Sequence, residues 1–410
     1  MNDAGSASRS GDPEVVLADD LSGALEVAVP FTWGCRSVML PLEARVARPR
    51  AGALVVMNTE TRNSSASEAR AIVGDALARA RDAGARVVFK KIDSTLRGPV
   101  GAELAAMLDA SPHALLVVCP TNVRVGRTVC DGVLRVHGVP VSETAFREDP
   151  RWPILDSEVA KSCDPAGAFV SERVSLETCR AGADAVASAL IRFREAGVQV
   201  AYCDAETEAD LAALAGGLVA LDRACVPIGA GGLARALCAS RGDGVTRGWI
   251  RPTAGGMLFA VGSRHPASRA QLERLSAECG VEVRTIDAGD VEEERARVVA
   301  GDLARGGIAA LRFGEGHGGD PAMLAQLGEI VRRVDGFDAL FATGGETASA
   351  LCRALGIDAL EVLGELDPGV VFARTSGRPG VSTVVVKPGG FGDADCLVRV
   401  WRAAGLRRRA

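Results

Sequence analysis

Short apolar runs that stop abruptly at polar clusters recur along the chain. Residues 15–18 (V-V-L-A), 53–57 (A-L-V-V-M), 85–89 (A-R-V-V-F) and 114–119 (A-L-L-V-V-C) read as short buried strands. Segments with helical signals lie between them. Ser65 and Glu68 form a capping box for a helix that Gly84 can stop, and residues 99–108 have a Pro-early helix start. From 133 to 153 the pattern loosens toward a β-hairpin, in which His137 reads as structural. Helix-like and strand-like segments resume over 181–205 and 208–229, and G-A-G-G-L-A-R-A-L closes this half near Leu233. After a stretch of low apolar content and several breakers, the pattern restarts at 257–261, with a helix from about Pro266 and further units around 281–286, 308–312, 339–342 and 384–386.

Strands alternating with helices predict an α/β protein: two Rossmann-like α/β domains with mainly parallel sheets and an inter-domain cleft. The expected divisions are a disordered leader (1–13), a first domain (14–240), a linker (241–255) and a second domain (256–410). A length of 410 residues fits two domains, and 48% hydrophobic residues, 24% charged residues and 48 glycines fit tight strand-to-helix turns. A net charge of -5 gives no reason to expect nucleic acid, and the tail Arg407, Arg408, Arg409 reads as a solvated terminus. Eleven cysteines from Cys35 to Cys396, with no C-x-x-C pair, suggest reduced thiols in a cytoplasm and argue against zinc. The leader lacks a basic start and an apolar core, and no apolar run approaches the roughly 20 residues of a membrane helix. The expected partner is a small molecule, with no membrane; a homo-oligomer is compatible with the sequence.

The polar clusters carry the chemistry. The first strand ends on Asp19 and Asp20 before a small-residue helix start, and two adjacent acids there are tolerated most readily beside a cation, a metal or a polyhydroxylated ligand. A helix cap beside a surface acid is the plainer alternative. The second strand is followed by Arg62. The third runs into K-K-I-D-S-T-L-R-G, which crowds Lys90, Lys91, Asp93 and Arg97 at one strand end; a solvated turn with Asp and Thr capping the next helix is the alternative. The fourth leads to Arg124 and Arg127. Acids facing hydroxyls and arginines facing a carboxylate suit a small acid sugar. In the second half, Ser263 stands at a strand tip, T-G-G-E-T (343–347) opens a helix that can offer free N–H groups to phosphate, and K-P-G-G-F-G (387–392) is a second glycine-rich loop. Neither is a Walker A loop nor a G-x-G-x-x-G turn after a first strand.

The order A-D-D-L-S-G-A (18–24), K-I-D-S-T-L-R-G (91–98), G-R-T (126–128), G-S-R-H-P (262–266), T-G-G-E-T-A (343–348) and K-P-G-G-F-G (387–392) resembles the four-carbon acid sugar kinase family, which phosphorylates tetronates such as threonate, erythronate and oxo-tetronates with ATP. The resemblance spans nearly the whole chain. It implies that the first domain holds the acid sugar and the second the nucleotide. On it, Asp20 or Asp93 would accept the proton of a terminal hydroxyl, with Lys91 and Arg97 balancing charge. Arg62 and Arg127 would clamp the carboxylate, beside Asp19, Ser94 and Thr95. Ser263, Gly344, Gly345, Glu346, Thr347, Gly389, Gly390 and Gly392 would hold ATP, and Mg2+ would arrive with it. The chain departs from the family pattern in having S-G-A-L-E, with Ser22 and Glu26, where T-G-A-x-D is common, and Pro388 where serine often stands. A nicotinamide dehydrogenase acting on the same acids and a non-catalytic sugar-acid sensor are the competing readings.

Overall fold

The computed structural model describes residues 13–32, 37–42, 53–149, 151–242, 256–314, 320–376 and 380–405. Residues 1–12 of the expected leader, Cys35, residues 243–255 of the expected linker and the arginines of the tail lie outside the described residues. The strands of the first half are β1 (Glu14–Ala18), β2 (Val38–Pro41), β3 (Leu54–Asn58), β4 (Arg86–Lys91), β5 (Leu115–Cys119), β6 (Arg127–Cys130), β7 (Val133–Val136), β8 (Val139–Pro140), β9 (Ser171–Val174), β10 (Val200–Cys203) and β11 (Cys225–Gly229). Those of the second are β12 (Met257–Val261), β13 (Val283–Ile286), β14 (Ile308–Phe313), β15 (Ala339–Thr343), β16 (Ala359–Asp367), β17 (Val370–Ser376) and β18 (Thr383–Lys387).

Fifteen of these strands make one sheet, in the order β13-β14-β12-β15-β18-β17-β16-β2-β3-β1-β4-β11-β5-β10-β9, while β6, β7 and β8 form a small antiparallel sheet beside it. The apolar runs need no alternation because both faces are covered. Val16 and Ala18 of β1 join the apolar layer on one face, and Val15 and Leu17 join the layer on the other. The first layer continues unbroken from Leu25 and Val29 in the first half to Leu360 and Val384 in the second. Helices cover the sheet. Ala66–Asp82 starts at the Ser65/Glu68 capping box, Val100–Ala110 follows Pro99, and Pro266–Cys279 opens on its proline, all as the sequence predicts. Among the described residues no helix is long and apolar enough to cross a membrane.

The α/β architecture and the mainly parallel pairing match the expectation, but the two halves share their sheet. Strand β2 pairs antiparallel with β16, from Pro41 opposite Ala359 to Val38 opposite Val362. Strand β16 then pairs antiparallel with β17, and β17 with β18. None of β2, β16 and β17 stands out in the sequence, because V-M-L-P is very short and A-L-E-V-L-G-E-L-D interrupts its apolar positions with acids and a glycine. The pairing makes the parallel strands of the second half run opposite to those of the first across the seam. Twist resolves the opposition: β1 and β15 are six strand-to-strand steps apart, and steps of about 20–25° accumulate roughly 120–150°. The carboxyl ends of the two parallel sets therefore swing toward each other.

One continuous sheet implies one cooperative unit. Of the four tryptophans, Trp152 lies in the first half and Trp401 in the second. Variants retaining only one or the other should unfold at the same urea midpoint by fluorescence, and separated midpoints would show that the halves melt independently.

Candidate functional site

Parallel pairing brings the tips of β1, β3 and β4 side by side. Asp20, directly after β1, caps the helix Leu21–Phe31 by accepting from the Gly23 N–H (2.8 Å) and from the Ser22 hydroxyl. Arg62 sits in the turn Thr61–Asn63 beyond β3, and its backbone N–H bonds the Asp19 carbonyl at 3.1 Å. Its guanidinium donates through Nε (2.8 Å) and Nη2 (2.9 Å) to both Asp19 carboxylate oxygens, lies 2.7 Å from Asp20 Oδ1 and 3.7 Å from Asp93 Oδ1. Asp93, beyond β4, accepts from the N–H (3.1 Å) and hydroxyl of Thr95, and from Arg97 through N (3.3 Å), Nε (3.0 Å) and Nη2 (3.1 Å). The turn is tight. Leu96 adopts a left-handed φ of +63°, and at Gly98 (φ +99°) an added Cβ would stand 3.2 Å from the Arg62 carbonyl, so only glycine lets the turn pass over Arg62.

Charge fixes the protonation states. Burial by itself would raise the pKa of Asp19 and of Asp93. For Asp19 the opposing field of Arg62, with Lys91 and Lys90 behind it, holds the carboxyl below its usual range. For Asp93, Arg97 and Arg62 hold it well below. Arg62, although buried, is raised well above its ordinary value by Asp19, Asp20 and Asp93.

The remaining expected residues divide. Thr95 is tied to Asp93 and Ser94 is half-buried on the same turn. Lys91 donates to the Ile92 carbonyl (2.9 Å), lies 3.5 Å from Glu26 and packs against Gly23 at the start of the capped helix. Its neighbour Lys90 points to the other face, as alternation along a strand requires. There it forms a buried pair with Glu103 at 2.9 Å, beneath the site. Arg127 forms no salt bridge among the described residues. Burial lowers its pKa, Asp93 and Glu26 offset this only in part and Arg97 adds to it; its buried Nε has no hydrogen-bond partner among the described residues. Arg97 and Arg127 both stack on the Phe146 ring, at 5.3 and 5.8 Å from its centroid. Phe146 was not singled out by sequence. Arg124, expected at this edge, instead turns to Glu365 of β16 (3.6 Å), which also takes Arg235 at 3.2 Å. The reason is distance along the chain: its partner is supplied by the other half.

In the second half β12, β15 and β18 are neighbours, so their three loops converge. The Ser263 N–H donates to the Thr343 hydroxyl at 3.3 Å. A side chain on Gly262 would collide with Thr347, and one on Gly389 with the Ser263 hydroxyl; one on Gly390 would meet the His265 ring. Gly344 (φ +87°) caps the helix Gly345–Ala354, whereas Gly392 packs against Cys396 and Gln271.

The two clusters touch. A Cβ on Gly345 would stand 3.0 Å from Asp20 Oδ2 and 3.1 Å from the Ser22 N–H. Asn63 donates to Glu346 at 2.8 Å, Arg151 reaches it at 3.4 Å, and Ser349 donates to Glu60 at 3.1 Å. Glu346 thus binds the opposite half, a use that its place in T-G-G-E-T did not disclose. Among the described residues no three His, Cys, Asp or Glu side chains gather as a metal site.

Two family models match the chain: a sugar-binding N-terminal domain over residues 14–237 and a nucleotide-binding C-terminal domain over residues 309–397. A D-threonate kinase of Bordetella bronchiseptica is 32% identical, over 97% of this chain and 99% of its own. A 3-oxo-tetronate kinase of Methylobacterium radiotolerans is 31% identical, over 93% of this chain and 97% of its own. A crystal structure of a Salmonella typhimurium LT2 protein superposes with a TM-score of 0.80 at 22% identity, covering 96% of this chain and 100% of that one, which supports the fold.

Arg62→Met should leave Asp19, Asp20 and Asp93 without their common cation and destabilise the protein by roughly 3–5 kcal/mol in urea titrations. Asp19 and Asp93 titrate lower folded than unfolded. Their stabilisation is therefore complete above the ordinary carboxylate range of about 4 and is lost as the pH falls through their depressed values. In Arg62→Met the folded values of both carboxyls rise toward the unfolded ones, so this acid-driven loss should shrink, and an unchanged acid limb of the stability curve would contradict this account.

Proposed function

The chain belongs to the four-carbon acid sugar kinase family and is a kinase of small sugar acids; from that premise we propose that it transfers the terminal phosphoryl group of ATP to a terminal hydroxyl of threonate, erythronate or an oxo-tetronate, in the cleft where the two clusters meet. One observation carries the reading: Asp20, rooted in the sugar half, presses its Oδ2 against Gly345 of the T-G-G-E-T loop. A hydroxyl bound beside Asp20 is then adjacent to phosphate held at that loop, the proximity that in-line transfer requires.

The roles follow from the contacts. Asp20 accepts the hydroxyl proton as the oxygen attacks phosphorus. Both acids are hydrogen-bonded, Asp20 by Ser22 and Gly23 beside Arg62 and Asp93 by Thr95 and Arg97, but Asp20 is the one that faces Gly345, and Asp93 is held well below its usual range, which makes it a weak base. It therefore orients the arginines. Arg127 and Arg97, stacked on Phe146, receive the substrate carboxylate, because Arg127 has no salt-bridge partner among the described residues and shares the Phe146 ring with Arg97. Arg62 is saturated by three acids and holds them in place instead of clamping substrate. Ser263, Gly344, Gly345, Thr347, Gly389, Gly390 and Gly392 form the phosphate surface. Magnesium would come with the nucleotide and neutralise phosphate charge there, since the described residues supply no carboxylate cage.

Asp20→Asn should lower kcat by about a hundred- to ten-thousand-fold with little change in KM, the span typical of a lost general base. Asp93→Asn should mainly raise KM for the acid sugar by releasing Arg97; equal kcat losses in both would return Asp93 to the chemistry. The reading as a whole is tested by ADP release, coupled to a spectrophotometric assay, across threonate, erythronate and oxo-tetronates. Turnover of neutral sugars with none of these acids would refute the substrate assignment.

A further inference from the structure

The loop after β18 is built the opposite way from a phosphate loop whose lysine reaches for its ligand. Lys387 ends β18 and is completely buried. Its ammonium donates to the carbonyls of Pro388 (3.0 Å), Gly389 (3.1 Å) and Phe391 (2.8 Å), which occupies all three of its N–H bonds. Burial lowers its pKa to about 8. No salt bridge reaches it from the described residues. Behind it Gln271, on the helix Pro266–Cys279 and also completely buried, donates Nε2 to the carbonyls of Phe391 (3.0 Å), Gly392 (2.9 Å) and Asp393 (2.9 Å). Ser268 gives its hydroxyl to Gly389 at 2.7 Å.

These donors turn the carbonyls of residues 388, 389, 391, 392 and 393 inward. In a planar trans peptide the N–H points opposite to the C=O, and the described chain has no cis bond. The N–H groups of Gly389, Gly390, Gly392 and Asp393 are therefore directed away from Lys387. The exception obeys the same rule: the Gly390 carbonyl is not taken up, and the N–H of that peptide, on Phe391, turns inward to Pro388 at 3.2 Å. A cation buried without a counter-charge is costly, and a methionine would fill the space without that penalty. What the ammonium does here is gather carbonyls.

We propose that Lys387 and Gln271 are positioning residues of the nucleotide site: by holding the carbonyl ends of the 388–393 peptides inward they direct the backbone N–H groups of Gly389, Gly390 and Gly392 at the phosphate chain, and Lys387 itself does not touch phosphate. This rests on the assignment of the second half to the nucleotide. It goes beyond that assignment in giving the loop's lysine an inward task and in naming a glutamine that lies outside every motif of the sequence.

Calorimetry on the full chain with ADP and with adenosine tests it, because adenosine lacks the phosphates. Lys387→Met should weaken ADP binding tenfold or more while leaving adenosine binding within about twofold, and KM for the acid sugar should stay close to that of the unsubstituted protein. Gln271→Leu, which keeps the lysine, should shift ADP in the same direction and serves as the deciding variant if Lys387→Met does not fold by circular dichroism. Unchanged ADP affinity in the folded variants overturns the proposal, as does an equal loss of ADP and adenosine. If the unsubstituted protein binds neither ligand, the nucleotide assignment fails and the inference falls with it, a result distinct from both of the others.

Discussion

One guanidinium makes the sugar half possible. Asp19, Asp20 and Asp93 stand at the tips of neighbouring strands, where three carboxylates in a partly dry cleft would repel one another and take up protons. Arg62 contacts all three. With Asp19 and Asp93 held ionised, Asp93 can gather Thr95 and Arg97 into the D-S-T-L-R-G turn, and Gly98 can cross the Arg62 backbone. Arg127 stacks beside Arg97 on Phe146 and has no carboxylate partner in a salt bridge among the described residues.

The second requirement is that the two clusters meet, and twist supplies it. In a flat sheet the seam of β2, β16, β17 and β18 would send the functional ends of the two halves to opposite edges. The accumulated rotation sets Asp20 against Gly345, and Asn63 and Arg151 then fasten Glu346 across the gap. The ends of the cleft are tied separately, through Glu365 with Arg124 and Arg235.

Much of this was legible in the chain. Buried parallel strands show as bare apolar runs, and charges placed just beyond them mark the site, so β1, β3, β4, β5, β12, β15 and β18 and the acids and arginines at their tips could be read directly. The seam could not be. Strand β2 has four residues, and β16 sets Glu361 and Glu365 among its apolar positions, so neither rises above a loop in pattern. Pairings made across the halves were equally hidden: nothing near Arg124 announces Glu365, and nothing near Asn63 announces Glu346. Nor does a motif tell which way a side chain points. Nothing in K-P-G-G-F-G says that Lys387 faces the interior, and Phe146, the platform for two arginines, lies in a stretch with no regular pattern at all.

The seam also sets the order in which the molecule can be completed. Strand β2 bonds β3 through Val38 and Met39, but β16 through Val38 to Pro41. Its more extensive partner is thus roughly 320 residues further along the chain. During synthesis the β2 edge therefore waits, hydrogen-bonding groups unpaired, until nearly the whole polypeptide has emerged. Such non-local closure slows folding and leaves an open strand edge exposed to other chains meanwhile.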